Sequence, residues 1–167
     1  FDETELVEMT KLYQDSKLCE GLIYIDNYEE ALETVEEVRR SLLTALVERK
    51  ISNYVSSMNG VVKKVEKDKY FFIIKDADLR RMIDDRFSVL DDVKTINIGN
   101  EMSLTLSIGI GMEGGDYKTD NEAARTAMDL ALGRGGDQAV LKDGDDIQYF
   151  GGKSLAMEKT TRVKARV

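Results

Sequence analysis

Residues 129–140, D-L-A-L-G-R-G-G-D-Q-A-V, contain the end of a helix, a glycine-rich turn and the start of a strand. The apolar spacing before Gly133 predicts the helix, and the apolar run after Asp137 predicts the strand. Glycine after a helix usually forms a C-cap and a turn. An arginine among glycines also leaves backbone N–H groups free to approach an anion closely. Local sequence favours the cap, and both interpretations stay open on the residues alone.

The composition is typical of a globular domain and excludes several kinds of chemistry. The chain has 167 residues, 42% of them hydrophobic, and a net charge of −8. This length allows one domain with a sizeable core, and the charge argues against nucleic acid as a partner. The absence of histidine excludes Ser-His-Asp triads and histidine-ligated zinc. Cys19 is the single cysteine, so an internal disulfide is excluded.

Periodicity predicts strands and helices along the whole chain. The predicted elements are an amphipathic helix at 2–17, a strand at 21–25, one long helix from 29 to about 59, a hairpin of 61–65 and 70–74, a helix capped by Asp76 and extending to Phe87, strands at 95–98 and 102–110, a loop at 111–120, and a hairpin that turns at Asp143 and Gly144. The strand at 102–110 alternates in polarity, so one buried face is expected. Antiparallel pairs mixed with crossover helices predict an α+β fold with a central, mostly antiparallel sheet flanked by helices.

This order of elements resembles the GGDEF domain of bacterial diguanylate cyclases over residues 22–140. The family's Asp-x-Asp-x-Phe strand motif is matched by residues 24–28, Y-I-D-N-Y, and its Gly-Gly-Asp-Glu-Phe hairpin by residues 66–70, E-K-D-K-Y. Residues 106–110, L-S-I-G-I, look like the family's Ser-x-Gly strand. The resemblance implies a nucleotidyl-cyclase-like fold.

The chain departs from the cyclase pattern where the family holds its metal. In the cyclases, Mg²⁺ on the triphosphate is held by the first Asp of the strand motif and by the Glu of the hairpin. Tyr24 and Lys69 occupy these positions here, and an ammonium group repels the cation. Glu66 and Lys67 replace the glycines that admit the guanine nucleotide. These departures predict that the domain is not a diguanylate cyclase and has no metal site of its own.

A second resemblance, to the degenerate GGDEF domain of membrane-bound cyclic-di-AMP phosphodiesterases of the GdpP/YybT type, covers nearly the whole chain. Its segments are I-Y-I-D-N-Y at 23–28, L-A-L-G-R-G-G-D-Q-A-V at 130–140, Y-F-G-G-K-S at 149–154 and K-T-T-R-V-K-A-R-V at 159–167. In that family, transmembrane helices and a PAS domain precede this module, and a DHH/DHHA1 domain that hydrolyses cyclic-di-AMP follows it. The resemblance implies a cytoplasmic domain of a bacterial cell-membrane protein. Residues 1–18 would lead in from the PAS domain, 19–151 would form the degenerate GGDEF domain, and 152–167 would be a basic linker towards the DHH domain.

The resemblance implies a regulatory domain that binds ATP or GTP, with Mg²⁺ accompanying ATP and with weak ATP hydrolysis. The alternative is a pure interaction or dimerisation module that relays a PAS signal without nucleotide; a weak homodimer is a further expectation. The candidate nucleotide-binding residues are Asp26, Asn27, Asp68, Arg134, Gly135, Gly136 and Asp137, with Asp68 also the candidate catalytic residue. Aspartate is also a routine turn residue, and Asp26 or Asn27 could equally cap the helix that follows.

Overall fold

The computed structural model of the protein describes residues 17–112 and 116–151. In chain order the elements are β1 (Leu18–Ile25), α1 (Tyr28–Glu33), α2 (Glu37–Ser57), β2 (Val61–Glu66), β3 (Lys69–Lys75), α3 (Asp76–Asp84), α4 (Val89–Lys94), β4 (Leu106–Gly111), α5 (Tyr117–Gly133), β5 (Gln138–Asp143) and β6 (Asp146–Phe150). The predicted lead-in segment and the basic linker lie outside the described residues, apart from Lys17 and Leu18, and Leu18 is the first residue of β1.

The strands form one six-stranded sheet in the order β2-β3-β1-β4-β5-β6. Every neighbouring pair is antiparallel except β4 and β5, which run parallel. A parallel pair needs a crossover connection, and α5 provides it between these two strands. The predicted α+β fold with a mostly antiparallel sheet is therefore confirmed.

Helix α5 lies directly on one face of the sheet because β4 carries glycines there. A Cβ added at Gly109 would lie 2.5 Å from the backbone nitrogen of Met128, and one at Gly111 would lie 2.2 Å from the carbonyl oxygen of Asp120. No larger residue fits at either position without moving the helix. The Ser-x-Gly pattern of this strand is thus the packing surface for α5.

The opposite face of the sheet forms the main core. Helix α2 contributes fully buried side chains at four-residue spacing, which places them along one side of the helix; they are Leu43, Val47, Ile51 and Val55. Ile23 of β1 and Phe72 of β3 lie in the same cluster, together with apolar side chains of α3 and α4. This core packs against β1 and β4 at the centre of the sheet.

Several local predictions about helices are wrong. The single long helix is two helices, α1 and α2, separated by residues 34–36, because the chain turns there and buries Val35 in the core. Asp76 is the first residue of α3 rather than its cap, and Lys75 precedes it at the N-cap position. Helix α3 ends at Asp84, so Phe87 lies beyond it in a left-handed conformation (φ 51°).

The predictions for residues 95–110 are also partly wrong. Residues 95–98 do not form a strand, because the sequence before them forms a helix, α4, that was not predicted, and Thr95 is its C-cap. Strand β4 begins at Leu106 rather than at 102, and it is buried on both faces instead of one. Helices on both sides of the sheet cover it, so its alternation in residue size reflects the close approach of α5 rather than exposure to water.

Candidate functional site

The candidate site lies where β1 ends and where β4 and β5 begin. The carboxylate of Asp26, directly after β1, accepts hydrogen bonds from the hydroxyl groups of Thr105 (2.7 Å) and Ser107, and from the backbone N–H of Asp137 (3.0 Å). One side chain thus joins three segments that are far apart in sequence. Neither Thr105 nor Ser107 was predicted as a site residue. The serine of the Ser-x-Gly strand was the available signal.

The glycine turn forms the helix cap that local sequence favoured. The N–H of Gly136 donates to the carbonyl of Ala131 (2.9 Å), and the N–H of Gly135 donates to Leu132 (3.0 Å). This pair of bonds is the Schellman motif, in which residues after the helix adopt left-handed conformations. Gly135 has φ 104° and Gly136 has φ 76°. The cap interpretation is confirmed, and the turn delivers the next backbone N–H to Asp26.

Gly136 lies against the carboxylate of Asp26. A Cβ added at Gly136 would be 2.6 Å from Oδ2 of Asp26. The close backbone approach to an anion that the sequence suggested therefore exists, and in this structure the anion is a side chain of the protein itself.

Asp137 follows the turn in a left-handed conformation (φ 55°) and forms an ion pair with Lys94 at the end of α4 (2.5 Å). Its side chain is about 10% exposed, and its Oδ1 is buried without a hydrogen-bond partner among the described residues. Burial raises the pKa of Asp137, while Lys94 opposes the rise. Lys94 was not predicted, because it lies on a helix that the sequence analysis did not find.

Burial also raises the pKa of Asp26, although the hydrogen bonds that it accepts oppose the rise. Asp26 and Asp137 are close enough that the charge of Asp26 contributes to the raised pKa of Asp137. Asp26 and Asp137, together with the Lys94 that pairs with Asp137, form a polar cluster at this end of the sheet. Such perturbed groups are functional-site candidates, although structural ion pairs produce the same effect.

Asn27 holds the chain segment that leads into β4. Its side-chain amide donates to the carbonyl of Ser103 (2.8 Å) and accepts from the N–H of Thr105 (3.2 Å). Asn27 is the N-cap residue of α1, but its side chain makes no capping hydrogen bond. Since the Asp26 carboxylate bonds to other segments as well, the helix-capping interpretation of this pair is wrong.

Arg134 points away from the Asp26 cluster. Its guanidinium group lies over the ring of Tyr149 on β6, 4.0 Å from the ring centre, and donates through Nε to the side chain of Gln138 (2.8 Å). Of the predicted glycine-loop residues, Gly136 and Asp137 therefore meet Asp26, whereas the Arg134 side chain packs against the outer strand.

Asp68 lies at the tip of the β2–β3 hairpin and reaches the same end of the sheet through its backbone. Its carbonyl accepts from the N–H of Ile25, the last residue of β1 (2.9 Å). Ion pairs surround this tip: Lys67 contacts Glu29 of α1, and Lys69 contacts Glu66 (2.9 Å). The hairpin residues thus flank the candidate site.

The two positions where cyclases hold their metal contact each other here. Tyr24 and Lys69 are direct partners in the β1–β3 register, and the Lys69 ammonium lies 5.2 Å from the centre of the Tyr24 ring. A cation over an aromatic face is an attractive contact. Within residues 17–112 and 116–151, no group of three or more Asp, Glu, Cys or His side chains is arranged to hold a metal ion. These residues do not fit a protein-held Mg²⁺.

Solved structures define the class of the fold. The active GGEEF domain of a diguanylate cyclase from Vibrio cholerae superposes with a TM-score of 0.65 at 12% identity, over 83% of this chain and 89% of that chain. The fold is therefore that of a GGDEF domain. Among the described residues, no helix combines the length and the apolar character that a membrane crossing requires.

Sequence comparison defines the family within that class. The family model described as "Cyclic-di-AMP phosphodiesterase GdpP-like, GGDEF domain" matches residues 23–149. The whole chain is 35% identical to the cyclic-di-AMP phosphodiesterase PdeA of Listeria monocytogenes and 33% identical to GdpP of Geobacillus thermodenitrificans, and it covers 26% of each. The chain belongs to the GGDEF domain family of GdpP-like cyclic-di-AMP phosphodiesterases. It spans about a quarter of the length of these relatives.

Proposed function

We propose that this domain is a catalytically degenerate GGDEF domain that regulates a cyclic-di-AMP phosphodiesterase. In this proposal the parent protein is anchored in the bacterial cell membrane. The domain lies on the cytoplasmic side between a PAS domain and the DHH/DHHA1 domain that performs the hydrolysis. The domain has no cyclase activity of its own.

The contact between Lys69 and Tyr24 carries this proposal. A cyclase needs hard oxygen ligands at these two positions to hold Mg²⁺. Here one position presents a cation and the other an aromatic ring, 5.2 Å from the ammonium to the ring centre. Glu66 lies close by, but its carboxylate is paired with Lys69 (2.9 Å). Any Mg²⁺ would have to arrive on the phosphates of a bound nucleotide.

A purine nucleotide, ATP or GTP, is the proposed ligand of the end of the sheet where Asp26, Asn27, Asp68 and the glycine turn meet. The backbone N–H of Asp137 already donates to Asp26 (3.0 Å). An incoming phosphate would compete with this carboxylate, so binding is expected to be weak. Asp68 is the proposed catalytic carboxylate for slow ATP hydrolysis, with turnover well below the enzyme median of about 10 per second.

Calorimetry with ATP and GTP, with and without Mg²⁺, tests nucleotide binding. Asp68→Ala is expected to reduce ATP turnover. Asp145→Ala is the matched control, because Asp145 lies in the tight turn between β5 and β6, at the opposite end of β5 from the candidate site. Equal turnover in the two folded variants and the wild type would place the hydrolysis elsewhere.

A second candidate function, a pure interaction module, is favoured by the outer side of α2. Val38 is 84% exposed and Leu42 is 49% exposed, and a spacing of four residues places them side by side on the helix. In this alternative the domain couples the PAS and DHH domains, or two copies of the chain, through such contacts. No heat and no thermal shift with either nucleotide, together with concentration-dependent sedimentation, would favour it.

A further inference from the structure

Lys94, the last residue of α4, is the basic side chain that reaches the polar cluster of the candidate site. Its ammonium group lies 2.5 Å from Oδ2 of Asp137 and 3.8 Å from the carboxylate of Asp91. The backbone N–H of Asp137 donates to the carboxylate of Asp26 (3.0 Å). A cation and a backbone N–H, two kinds of donor that proteins use to bind phosphate, therefore meet at one residue.

The other basic side chains near this end of the sheet have different partners. Arg134 lies over the ring of Tyr149 on the outer strand, and Lys67 and Lys69 pair with acids at the hairpin tip. Among the ion pairs of residues 17–112 and 116–151, the Lys94 pair is the one that includes an acid of the Asp26 cluster. A phosphate group bound beside the glycine turn would therefore find its cation in Lys94.

The carboxylate of Asp137 now occupies the place of an anion beside Lys94. The Asp137 side chain is about 10% exposed, and its Oδ1 is buried without a hydrogen-bond partner among the described residues. The Lys94 side chain is 32% exposed, so a ligand can reach its ammonium group from solvent. The two partners of this ion pair thus differ, since the cation is accessible and the carboxylate is enclosed and only half satisfied.

We propose that Lys94 binds the phosphate groups of the nucleotide and that the Asp137 carboxylate is its internal competitor. This inference rests on the proposed nucleotide binding, to which it adds the cation and the group that limits affinity. A phosphate carries more negative charge than a carboxylate and offers three acceptor oxygens, so it can displace Asp137 from Lys94. The displaced carboxylate then lacks its counterion in a mostly buried place, which costs free energy and weakens binding by the wild type.

The proposal gives opposite effects to two substitutions. Asp137→Asn keeps the shape of the side chain but removes the competing charge, so the affinity for ATP and GTP is expected to rise severalfold. Lys94→Gln removes the cation, so the affinity is expected to fall about tenfold. A purely structural ion pair would instead give both substitutions the same direction, because each one breaks the pair.

Two further variants keep the comparison valid. Asp92→Asn is the matched control, because Asp92 lies on the same helix, pairs with Lys50 (3.3 Å), and changes the net charge by the same amount when substituted; it is expected to leave the affinity unchanged. Lys94→Gln leaves a mostly buried carboxylate without its counterion, so the variant Lys94→Gln with Asp137→Asn replaces it if it does not fold. This double variant is expected to bind at least tenfold more weakly than Asp137→Asn.

Lysine acetylation shows directly whether the ligand covers Lys94. Lys94 and Lys50 have similarly exposed side chains, 32% and 30%. In the Asp137→Asn variant, saturating ATP is expected to slow the labelling of Lys94 severalfold and to leave that of Lys50 unchanged. Equal labelling of Lys94 with and without bound ATP would overturn the proposal.

Calorimetry of the whole chain with ATP and with GTP measures the affinities, and circular dichroism shows that each variant is folded. Opposite shifts for Asp137→Asn and Lys94→Gln, with Asp92→Asn at the wild-type value, would support the proposal. Equal tightening by Asp137→Asn and Asp92→Asn would overturn it, because net charge alone would explain the gain. Equal affinities in all variants would overturn it and leave nucleotide binding intact, whereas no binding by any variant would contradict the proposed function as well.

Discussion

Two regions of the molecule match motifs of the family, namely the junction of segments around Asp26 and the tip of the β2–β3 hairpin. They differ in how tightly the protein holds them. At the junction, the half-buried Asp26 carboxylate bonds to two other segments, namely the start of β4 and the turn before β5. At the tip, Lys67 and Lys69 make exposed ion pairs at the surface. Both regions match motifs that bind nucleotide in cyclases.

This difference predicts which motif residues the fold itself requires. Removing Asp26 would leave hydroxyl and backbone donors without partners, whereas the tip could change its charges without disturbing the core. Under the proposed loss of cyclase chemistry, the tip residues are free to change, whereas Asp26 is retained because the fold uses it. The predictions that follow test this contrast, from the largest expected effect to the smallest.

Replacing Asp26 should destabilise the domain most. Asp26→Ala leaves the donors of Thr105, Ser107 and Asp137 unpaired, at an expected cost of about 2–4 kcal/mol in the free energy of unfolding. Asp68→Ala at the hairpin tip is the matched comparison, and it should change stability little. Urea denaturation measures both variants. Equal losses would mean that the two regions do not differ as described.

Substituting Gly136 tests the close approach of the turn to Asp26. Gly136→Ala places a Cβ 2.6 Å from the carboxylate at φ 76°, so a loss of about 2–3 kcal/mol is expected. Gly133→Ala is the control, since a Cβ there meets no atom within 4 Å, and alanine in a helix should stabilise by up to about 1 kcal/mol. Thermal unfolding of both variants gives the comparison. Similar melting temperatures would argue against the contact with Asp26.

Glu20 of β1 provides a second comparison with Asp26, because it is buried but accepts fewer hydrogen bonds. It accepts from the Asn121 side chain (3.3 Å), and its Oε2 is buried without a partner among the described residues. Burial raises its pKa from 4.5 to about 7, opposed by the Asn121 hydrogen bond and assisted by the charge of Asp120.

The raised pKa of Glu20 gives its pH prediction a definite sign. The unfolded chain ionises at the lower pKa, so the wild type loses stability as the pH rises from 4.5 to about 7. Glu20→Gln should remove this loss and be the more stable protein at pH 8, by on the order of 1 kcal/mol. Denaturation curves at pH 5 and pH 8 measure the effect. A pH dependence identical to that of the wild type would assign the titration to another group.

The ion pairs of the hairpin tip should matter least. The pairing with Glu29 raises the pKa of Lys67, but this group is exposed and solvent screens the pair. Lys67→Ala is therefore expected to leave the denaturation midpoint unchanged at physiological salt. A clear loss of stability that disappears at high salt would show that the tip is held more firmly than its exposure indicates.

The fold could be predicted from the sequence because the apolar patterns typical of strands and helices are clear along β1, β4 and α5. The glycines that allow close packing in β4 add to this signal. It was insufficient at residues 88–105, since α4 is only six residues long and too short for a periodic signal. Lys94 was missed for that reason. Asp26, Gly136 and Asp137, which the sequence analysis selected as candidate nucleotide-binding residues, lie together in the structure. Their mutual hydrogen bonds depend on contacts between residues about 110 apart in sequence, which no local pattern reveals.

Incubation of the purified domain with GTP and Mg²⁺, followed by chromatography for cyclic-di-GMP, tests the central claim most directly. An active diguanylate cyclase assayed in parallel shows that the conditions support the reaction, and circular dichroism shows that the domain is folded. Because Tyr24 and Lys69 stand where the metal ligands would be, we expect no cyclic-di-GMP. Formation of cyclic-di-GMP that disappears in a purified Asp68→Ala variant would contradict the account, since it would show that this domain performs cyclase chemistry without those ligands.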